Sequence, residues 1–367
     1  MVKYSFAQLE KKYNGFFNGR CEIDIDGFSL LPKFNIRGLS VQLSAEYEAS
    51  YAQFTVFGGM NGTQGGIQQD GTLSAKLRVG RSVKISLGYG DKVTEVFSGY
   101  IDSLRLEYTH ETGCSFSVTC LDGKGLMMNS TRSEIKTSVK RYSDAVKKTL
   151  SAYSDLFSIG KVQQTTELTI PFSQLGESDY DFVVRLAKRL NYSFYISLGK
   201  AYFVPVGSDR TELIKISPSM NLSRFSLETG LKNRVSRVTV VNNDETDEKK
   251  RIKSEVSRID VLETGGTSSA AANSAIKPGM TRTISDPAAA TNDAAKLLAQ
   301  AELDRMSYGS VSGQAEFTGI PELLPGKFAV ISGFGKGFDR SCYLTRVTHR
   351  LYGGIYTTAA EFSGNDI

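Results

Sequence analysis

Apolar and polar residues alternate with a period of two through much of residues 21–128, which is the pattern of half-buried β-strands. The segments that show this alternation are Leu39–Tyr47, Val83–Leu87, Phe97–Tyr108 and Cys114–Leu121. A turn is expected at Glu111-Thr112-Gly113, between the last two segments. The glycine-rich residues 58–72 interrupt the alternation and predict a flexible loop.

Beyond residue 132 the spacing of apolar residues changes to that of helices. Ser143 is expected to cap a first helix, and a strand is expected at Glu167–Ile170. Ser178 precedes a second helix with an acidic start and a basic end, which suits the helix dipole. Its apolar face consists of Phe182, Val183, Leu186, Ala187 and Leu190. Burying these side chains contributes several times the roughly 1 kcal/mol of the cap, so this helix is predicted to dock on a core. Strands at Tyr192–Leu198 and Ala201–Val206 are expected to follow, with Gly199 in the turn.

β character returns at Phe225 and continues to Phe362. A hairpin with a charged tip is predicted over residues 234–261, and Asp286-Pro287 is expected to open a third helix. These changes divide the chain into four predicted parts. They are an N-terminal arm (1–19) with a short helix, a first β-barrel (20–131), an α+β insert (132–217) and a second β-barrel (218–367) that carries a helix over 287–307 and a flexible loop over 264–275.

The two β regions end in similar sequences. A glycine, an alternating strand, a Gly-aromatic-Gly turn, a long strand and a closing strand occur in the same order over roughly 40 residues in each region. The glycines at matching places are Gly80, Gly88, Gly90, Gly326, Gly333 and Gly335. Positive φ is expected at the two glycines of each Gly-aromatic-Gly turn. Any two β-hairpins share some of these features, but the matched order favours a duplication. The predicted fold is therefore mostly β within the α+β class, with two related antiparallel β-barrels in tandem separated by the insert.

Composition narrows the possible functions. The net charge is only +5, from 44 basic and 39 acidic side chains, and no basic block resembles a nucleic-acid-binding arm. No run approaches 18 apolar residues, and residues 1–6 lack the apolar core of a secretory signal. We therefore expect a chain that is made in the cytoplasm and stays soluble there, with no membrane or specific nucleic-acid partner.

Side chains that could perform catalysis or bind metal are few. The four cysteines (Cys21, Cys114, Cys120 and Cys342) contain no Cys-x-x-Cys pair, so buried free thiols are expected rather than a zinc site. His110 and His349 are the only histidines, and both are expected on the surface or at a barrel rim.

Acidic pairs are the remaining candidates for chemistry. The two groups are Asp179 with Asp181, and Glu22 with Asp24 and Asp26. A glycosidase also uses a pair of carboxylates, and this is the whole of the resemblance. Asp181 is expected to serve the helix cap, and acids that alternate along a strand are typical of its solvated face. The sequence predicts no catalytic, cofactor or metal site, and hence no enzyme; a cell-wall hydrolase is the weaker alternative.

Residues 177–195 carry a resemblance to a known family. Their sequence begins Ser-Asp-aromatic-Asp-Phe, continues through Arg-Leu-Ala, and ends in an aromatic pair on the next strand. It resembles the hub proteins of contractile tails: phage late control protein D, the myophage baseplate hub and the N-terminal part of VgrG-type spikes. The motif residues are Ser178, Asp179, Tyr180, Asp181, Phe182, Arg185, Leu186 and Ala187. Leu324-Pro-Gly326 and the tandem repeat extend the resemblance to most of the chain.

The resemblance implies a structural role without catalysis. Three copies would form a pseudo-hexameric ring that adapts a six-fold tail tube to a three-fold spike in a phage, an R-type bacteriocin or a related injection system. Implied partners are a tail-tube or tube-initiator hexamer, a spike protein separate from this chain, and in some systems a tape-measure or other baseplate protein. Such a protein would assemble in the bacterial cytoplasm and end in the baseplate of a virion or released particle. An alternative is a receptor- or carbohydrate-binding tail component, with Tyr51, Tyr89 or Phe334 stacking on sugars.

Overall fold

A computed structural model describes most of the chain. The described residues are 2–57, 60–63, 66–69, 71–109, 113–136, 139–166, 172–231, 234–243, 251–260, 262, 280–287 and 289–365. The predicted mobile loop at 264–275, the predicted strand at 167–170 and His110 lie outside them.

The N-terminal part of the chain is mostly strand, with two short helices. Helix α1 is Phe6–Lys12 and helix α2 is Gly71–Lys76. The strands are β1 (Gly19–Ile25), β2 (Phe28–Ser29), β3 (Asn35–Ser44), β4 (Tyr51–Phe57), β5 (Met60–Thr63), β6 (Gly66–Gln69), β7 (Ser82–Tyr89), β8 (Lys92–Thr109) and β9 (Gly113–Leu121). Residues 58–72 were predicted to be a loop, and this is wrong, because β5 and β6 pair as an antiparallel hairpin within them.

The middle of the chain contains the insert. Helix α3 (Lys124–Met128) precedes the insert, and the helices within it are α4 (Tyr142–Ser151) and α5 (Asp179–Leu190). Its strands are β10 (Arg132–Lys136), β11 (Ser158–Val162), β12 (Phe172–Glu177), β13 (Tyr192–Ser197) and β14 (Lys200–Pro205). The two helices α4 and α5 pack with β11, β13 and β14 around a separate apolar core that includes Val146, Phe182 and Phe203. Ser143 does not cap α4 as predicted; its backbone and side chain instead bond to Thr165. Arg141 is the N-cap residue, and its side chain makes no capping hydrogen bond.

The remaining elements complete the β structure. The strands are β15 (Glu212–Ile216), β16 (Arg224–Thr229), β17 (Arg237–Asn243), β18 (Arg251–Val256), β19 (Thr281–Ser285), β20 (Val311–Thr318), β21 (Phe328–Ile331), β22 (Arg340–Tyr352) and β23 (Ile355–Gly364). Helix α6 spans Asn292–Ser307 and packs on the sheet of β17, β18 and β19. The helix begins five residues after the predicted Pro287, because the side chain of Thr291 accepts the backbone N–H of Ala294 and caps it there.

Thirteen strands from both β regions form one large sheet, almost entirely antiparallel. Apolar side chains from both regions share one core, with Ile23 and Phe54 from the first region and Phe317 and Leu344 from the second. The two regions are joined by antiparallel pairing of β3 with β22, in which Val41 lies opposite His349. The mostly β class is thus as predicted, but pairing among the described residues closes neither region into a barrel of its own.

The two β regions nevertheless follow the same strand order. The first half of the sheet runs β3-β4-β9-β8-β7-β1, and the second half runs β16-β20-β23-β22-β21-β15. In both halves the third and fourth strands are a long hairpin, and each element occupies the same place in its path. The halves differ in two ways. Strand β1 is antiparallel to β7 whereas β15 is parallel to β21, and β2 adds a further strand beside β1.

Residue pairing is matched as closely as strand order. A register shift follows Ile101 in β8 and Leu344 in β22. Gly80 and Gly326 have φ of 85° and 84°, and their N–H groups donate to the carbonyls of Ile101 and Leu344 at 2.8 and 2.9 Å. Equal shifts and equal turn bonds make these positions equivalent, and they fix a residue-by-residue alignment of the two halves.

The turn glycines agree with the predicted positive φ in three cases out of four. Gly90, Gly333 and Gly335 have φ of 56°, 91° and 107°. Gly88 does not have positive φ and lies within β7, so the prediction for it is wrong. A Cβ atom at Gly88 would lie 2.0 Å from the Lys92 carbonyl oxygen, so close backbone approach is the reason for glycine there.

His349 is fully buried, which corrects the expected surface position. It lies on β22 in the common core, where Nδ1 is 2.9 Å from the hydroxyl of Tyr356 and 3.0 Å from that of Thr358. Burial lowers the pKa of His349 from 6.5 to about 4. Its neutral form is therefore the folded form at neutral pH.

Acidification should cost stability through His349. The unfolded chain takes up this proton near pH 6.5 and the folded chain only near pH 4, so the contribution is complete above pH 6.5 and is lost as the pH falls between these values. Between pH 7 and 5 we expect the free energy of unfolding of the wild type to fall by about 2 kcal/mol relative to His349→Asn, which keeps an acceptor but cannot be protonated there. Urea unfolding of both proteins measures this difference, and a difference that does not change with pH contradicts the assignment.

Candidate functional site

The family motif lies at the start of α5, and its own residues form the N-terminal cap of that helix. Ser178 is the N-cap, and its hydroxyl oxygen accepts the Asp181 N–H at 2.9 Å. At the other end Asn191 adopts the left-handed conformation with φ 55° and closes the helix. Phe182, Leu186 and Ala187 are buried in the core of the insert, while Arg185 pairs with Glu177 on the outside.

Asp179 is a buried carboxylate that ties together three parts of the insert. It accepts hydrogen bonds from the Tyr153 hydroxyl at 2.8 Å and from the Gln174 amide at 2.9 Å. The Nε atom of Arg132 on β10 lies 3.0 Å away and supplies the compensating charge. A carboxylate held by three donors is satisfied, and its arrangement is structural rather than catalytic. Asp181 points to the Ser178 hydroxyl at 2.7 Å, so the two acids do not form a pair around a substrate.

Tyr180 connects the motif helix to the large sheet. Its hydroxyl donates to the carbonyl of Tyr47, in the loop between β3 and β4, at 2.8 Å. The hydroxyl of Tyr47 in turn donates to the carbonyl of Tyr192 on β13 at 3.3 Å. We call Tyr47, Lys124, Tyr180, Tyr192 and Phe194 the insert junction, because these residues join the insert to the loop that follows β3.

Lys124 is the cation at the centre of the insert junction, and its side chain is completely buried. Its Nζ atom donates to the Glu48 carbonyl and lies 3.5 Å from the carbonyls of Glu46 and Phe194. The nearest carboxylate is that of Asp122, 4.0 Å away, which also accepts the backbone N–H of Ser50. Burial lowers the pKa of Lys124, and burial raises the pKa of Asp122. The sequence offered no signal for this site, since a lysine between two glycines is typical of an exposed turn.

A second polar cluster lies where the two halves of the sheet meet. Arg346 on β22 contacts the carboxylates of Glu48, Glu46 and Glu361, the last at 2.7 Å. Burial, followed by the neighbouring Glu48 charge, raises the pKa of Glu46. Burial opposes ionisation of Glu48 as well, but the hydrogen bond from Arg346, with the other favourable contacts, outweighs it and lowers the pKa of that group. The cluster connects the β3–β4 loop to the second half of the sheet.

The remaining candidates from the sequence are not brought together into a site. Glu22 and Asp24 lie on the partly exposed side of β1, as expected for a solvated strand face, and Asp26 accepts bonds from Arg81 and Ser82. Cys21, Cys120 and Cys342 are buried free thiols, whereas Cys114 is only half-buried. Among the described residues, no group of three or more His, Cys, Asp or Glu side chains is arranged to hold a metal ion.

Two of the three aromatic side chains proposed to stack on sugars already contact other residues of this chain. Tyr89 is buried and donates to the Gly319 carbonyl at 2.9 Å. Phe334 stacks on Phe225 with ring centroids 3.9 Å apart. Tyr51 is half-buried on β4 and bonds to Gln42. These contacts give no support to the carbohydrate-binding alternative.

Exposed apolar side chains mark a different kind of site, which sequence reasoning missed. Leu106 and Tyr108, near the end of β8, are 56% and 62% exposed, and Leu231 after β16 is 48% exposed. They belong to or adjoin regular alternating strands, so the sequence alone indicates burial for them. Exposed apolar residues beside the edge of a sheet are typical of surfaces that meet another protein. No helix within the described ranges is both long and apolar enough to cross a bilayer.

Comparison with solved structures defines the class of fold. The chain is similar over 94% of its length to a 43 kDa tail protein of prophage MuSo2 from Shewanella oneidensis, with 98% of that protein covered, a TM-score of 0.67 and 13% identity. A tail protein from Neisseria meningitidis MC58 matches with a TM-score of 0.64 and 13% identity, covering 95% of this chain and 97% of that one. An E. coli component of the type VI secretion system matches with a TM-score of 0.54 and 13% identity, covering 94% of this chain and 76% of that one. The fold is thus that of phage-tail and related secretion proteins, and the family resemblance drawn from the motif is confirmed at the level of fold.

The sequence itself identifies the family. The model of the Alg8 N-terminal domain matches residues 19–353, and the chain belongs to that family. Compared with curated protein sequences, the chain has no match.

Replacing Lys124 tests whether the insert junction is held by a buried charge. Lys124→Met removes the cation but leaves the Asp122 carboxylate and three carbonyl oxygens buried, so we expect the free energy of unfolding to fall by about 3–5 kcal/mol. Lys148→Met is the matched control, because Lys148 is exposed and makes only a surface contact with Glu134; its effect should stay below about 1 kcal/mol. Chemical denaturation measures both, and a Lys124→Met protein as stable as the control contradicts the assigned role.

Proposed function

We propose that this chain is the structural hub of the baseplate in a contractile tail or injection machine, and that it has no catalytic activity. In this role three copies form a ring around the machine's axis, which adapts a six-fold tail tube to a trimeric spike. The observation that carries the proposal is the matched strand order of the two halves of the sheet. The fold shared with phage-tail proteins supports the same conclusion.

Symmetry is the physical reason for a duplicated chain in such a place. A six-fold ring of tube subunits presents six equivalent faces, whereas a trimeric spike presents three. A chain with two similar halves offers two similar surfaces, so three chains offer six on one side and three unique inserts on the other. Six strands of each half follow the same order, with equal register at the long hairpin.

The polar residues of the motif support a structural role. Asp179 is satisfied by three donors, and Tyr180 and Lys124 hold the insert to the sheet. In this proposal the working units are the arm 1–19, the β parts 20–131 and 218–367 together with β15, and the rest of the insert 132–217. The motif keeps the insert in a fixed position. The implied partners are a tube or tube-initiator hexamer and a separate spike protein, with tape-measure or other baseplate proteins in some machines. The site of action is then the baseplate of a virion or released particle, after assembly in the bacterial cytoplasm.

Oligomeric mass and stoichiometry test this function. We expect the purified chain by itself to form a species of three 40.1 kDa copies, about 120 kDa in all, in multi-angle light scattering, or to enter a larger complex that contains three copies when cognate tube and spike proteins are added. Native mass spectrometry of the complex with the tube ring should give three hub copies per six tube subunits. A chain that remains monomeric with both partners present, or that binds the tube one to one, contradicts the proposal.

A further inference from the structure

Within the described part of the chain, β16 and the end of β8 are two places where the large sheet has an unpaired edge, in addition to its terminal strand β2. Strand β16 pairs with β20 on one side, and no described strand pairs with its other side. Strand β8 pairs with β7 only up to Tyr100, so the same edge is open over Ser103–Tyr108. Open edges carry rows of unpaired N–H and C=O groups, which native proteins rarely leave available without a partner.

The internal junction of the chain shows what can cover such edges. Strand β22 pairs with β21 over Arg340–Tyr343, and beyond that point the same edge of β22 pairs with β3. In the alignment of the two halves, β22 is equivalent to β8 and β3 is equivalent to β16. The open edge of β8 is therefore the place that β3 fills in the other half, and β16 is the strand that would fill it.

The alignment fixes the partners residue by residue. Pairing across four strands connects Val41, Ala52, Cys120 and Ile101 in the first half. In the second half it connects Leu227, Gly313, Phe362 and Leu344 in the same way. Val41 is thus equivalent to Leu227. Counting along the strand from the shared register shift makes His349 equivalent to Leu106 and Thr348 equivalent to Arg105.

Exposure agrees with this equivalence. His349, covered by β3, is completely buried, whereas its equivalent Leu106 is 56% exposed. Ala45, which donates its N–H to the Thr345 carbonyl, is buried, whereas its equivalent Leu231 is 48% exposed. These positions suit burial in both halves, but only one half has its neighbouring strand in place.

We propose that β16 of one copy pairs antiparallel with Ser103–Tyr108 of β8 in a second copy of this chain, in the register that the β3–β22 junction uses within one chain. This register places Leu227 opposite Leu106 and Phe225 opposite Tyr108. The proposal rests on the proposed function for the number of copies, but the pairing itself is argued from the internal repeat.

The side chains that meet are complementary. Leu227 and Phe225 lie on the half-buried face of β16, and Leu106 and Tyr108 lie on the exposed apolar face of β8, so pairing would bury all four together. On the opposite face Arg105 would lie opposite Glu228. Arg105 already contacts Glu107 at 3.1 Å within the chain, and the second carboxylate would place it between two acids.

The interface joins two different surfaces, so it repeats head to tail. Such a contact forms a closed ring when the rotation per copy divides a full turn, and otherwise an open filament. The β3–β22 junction already relates one half to the next within the chain. If the rotation from one half to the next is one sixth of a turn, and the same rotation relates neighbouring copies, the ring closes after six halves. Six halves are three chains.

Cysteine cross-linking tests the register directly. In a Cys114→Ser background, Leu106→Cys with Leu227→Cys places two thiols opposite each other on neighbouring strands, within reach of a disulfide. Oxidation should give covalent dimers and trimers on a non-reducing gel. The control pairs Leu106→Cys with Ser226→Cys, whose side chain faces the other side of the sheet, and should give at least tenfold less.

The outcomes separate this inference from the proposed function. A ladder from the Leu106/Leu227 pair and not from the control supports the pairing. Equal ladders from both pairs, or a three-copy species with no ladder, overturn the pairing and leave the hub function standing. A chain that stays monomeric with tube and spike proteins present overturns both.

A disruptive variant gives a readout without cross-linking. Leu106→Asp introduces a charge at the centre of the proposed pairing, and its exposure in a single copy means that the variant should fold normally. We expect the concentration for half-dissociation of the oligomer to rise at least tenfold in analytical ultracentrifugation. Leu175→Asp is the matched control, because Leu175 is 67% exposed on β12 away from this edge, and it should leave dissociation unchanged. Equal effects of the two substitutions count against the proposed surface.

Discussion

The architecture depends on one long-range strand pairing, between β3 near the start of the chain and β22 near its end. Backbone groups at a sheet edge require partners, and this pairing matches six residues of one strand with six of the other while it brings both β regions onto one core. Arg346, at the start of the paired stretch, connects the β3–β4 loop to β23 through three carboxylates. Among the described residues, the pairing covers one edge of β22 and leaves the equivalent edge of β8, and that of β16, without a strand partner.

Buried polar contacts, together with the apolar contact of Tyr195 and Val206 with the cluster of Phe328 and Tyr343, hold the insert against the large sheet. Lys124 and Tyr180 both bond to main-chain oxygens of residues 46–48, so the position of the insert is coupled to the loop that leads out of β3. Buried polar groups of this kind specify one arrangement, because any other leaves a charge or a donor without a partner. The motif at the start of α5 is thus a positioning device, and its acids hold the helix rather than a substrate.

Local features were predictable from the sequence because local physics decides them. The cap at Ser178, the strands around Gly199 and the repeated turn glycines Gly80 and Gly326 all follow from short-range preferences. Long-range features were not predictable in this way, because period-two alternation does not show which strands become neighbours. Two closed barrels and one continuous sheet have the same alternation. What distinguishes them here is that one edge of β3 pairs with β4 of its own region and the other edge pairs with β22. The burial of His349 and Lys124 depends on that same pairing and on the insert, so residue type alone suggested the surface for the histidine and nothing for the lysine.

The central claim is that the two halves of the sheet are equivalent units, repeated around an axis by the same strand pairing. Electron cryomicroscopy of the isolated oligomer, or of the baseplate that contains it, tests this most directly. The account predicts six similar half-sheets in a closed ring, with β16 of each chain about 4.8 Å from β8 of the next and Leu227 facing Leu106. A ring in which β16 faces solvent, or in which the two halves of a chain meet their neighbours through unrelated surfaces, contradicts it.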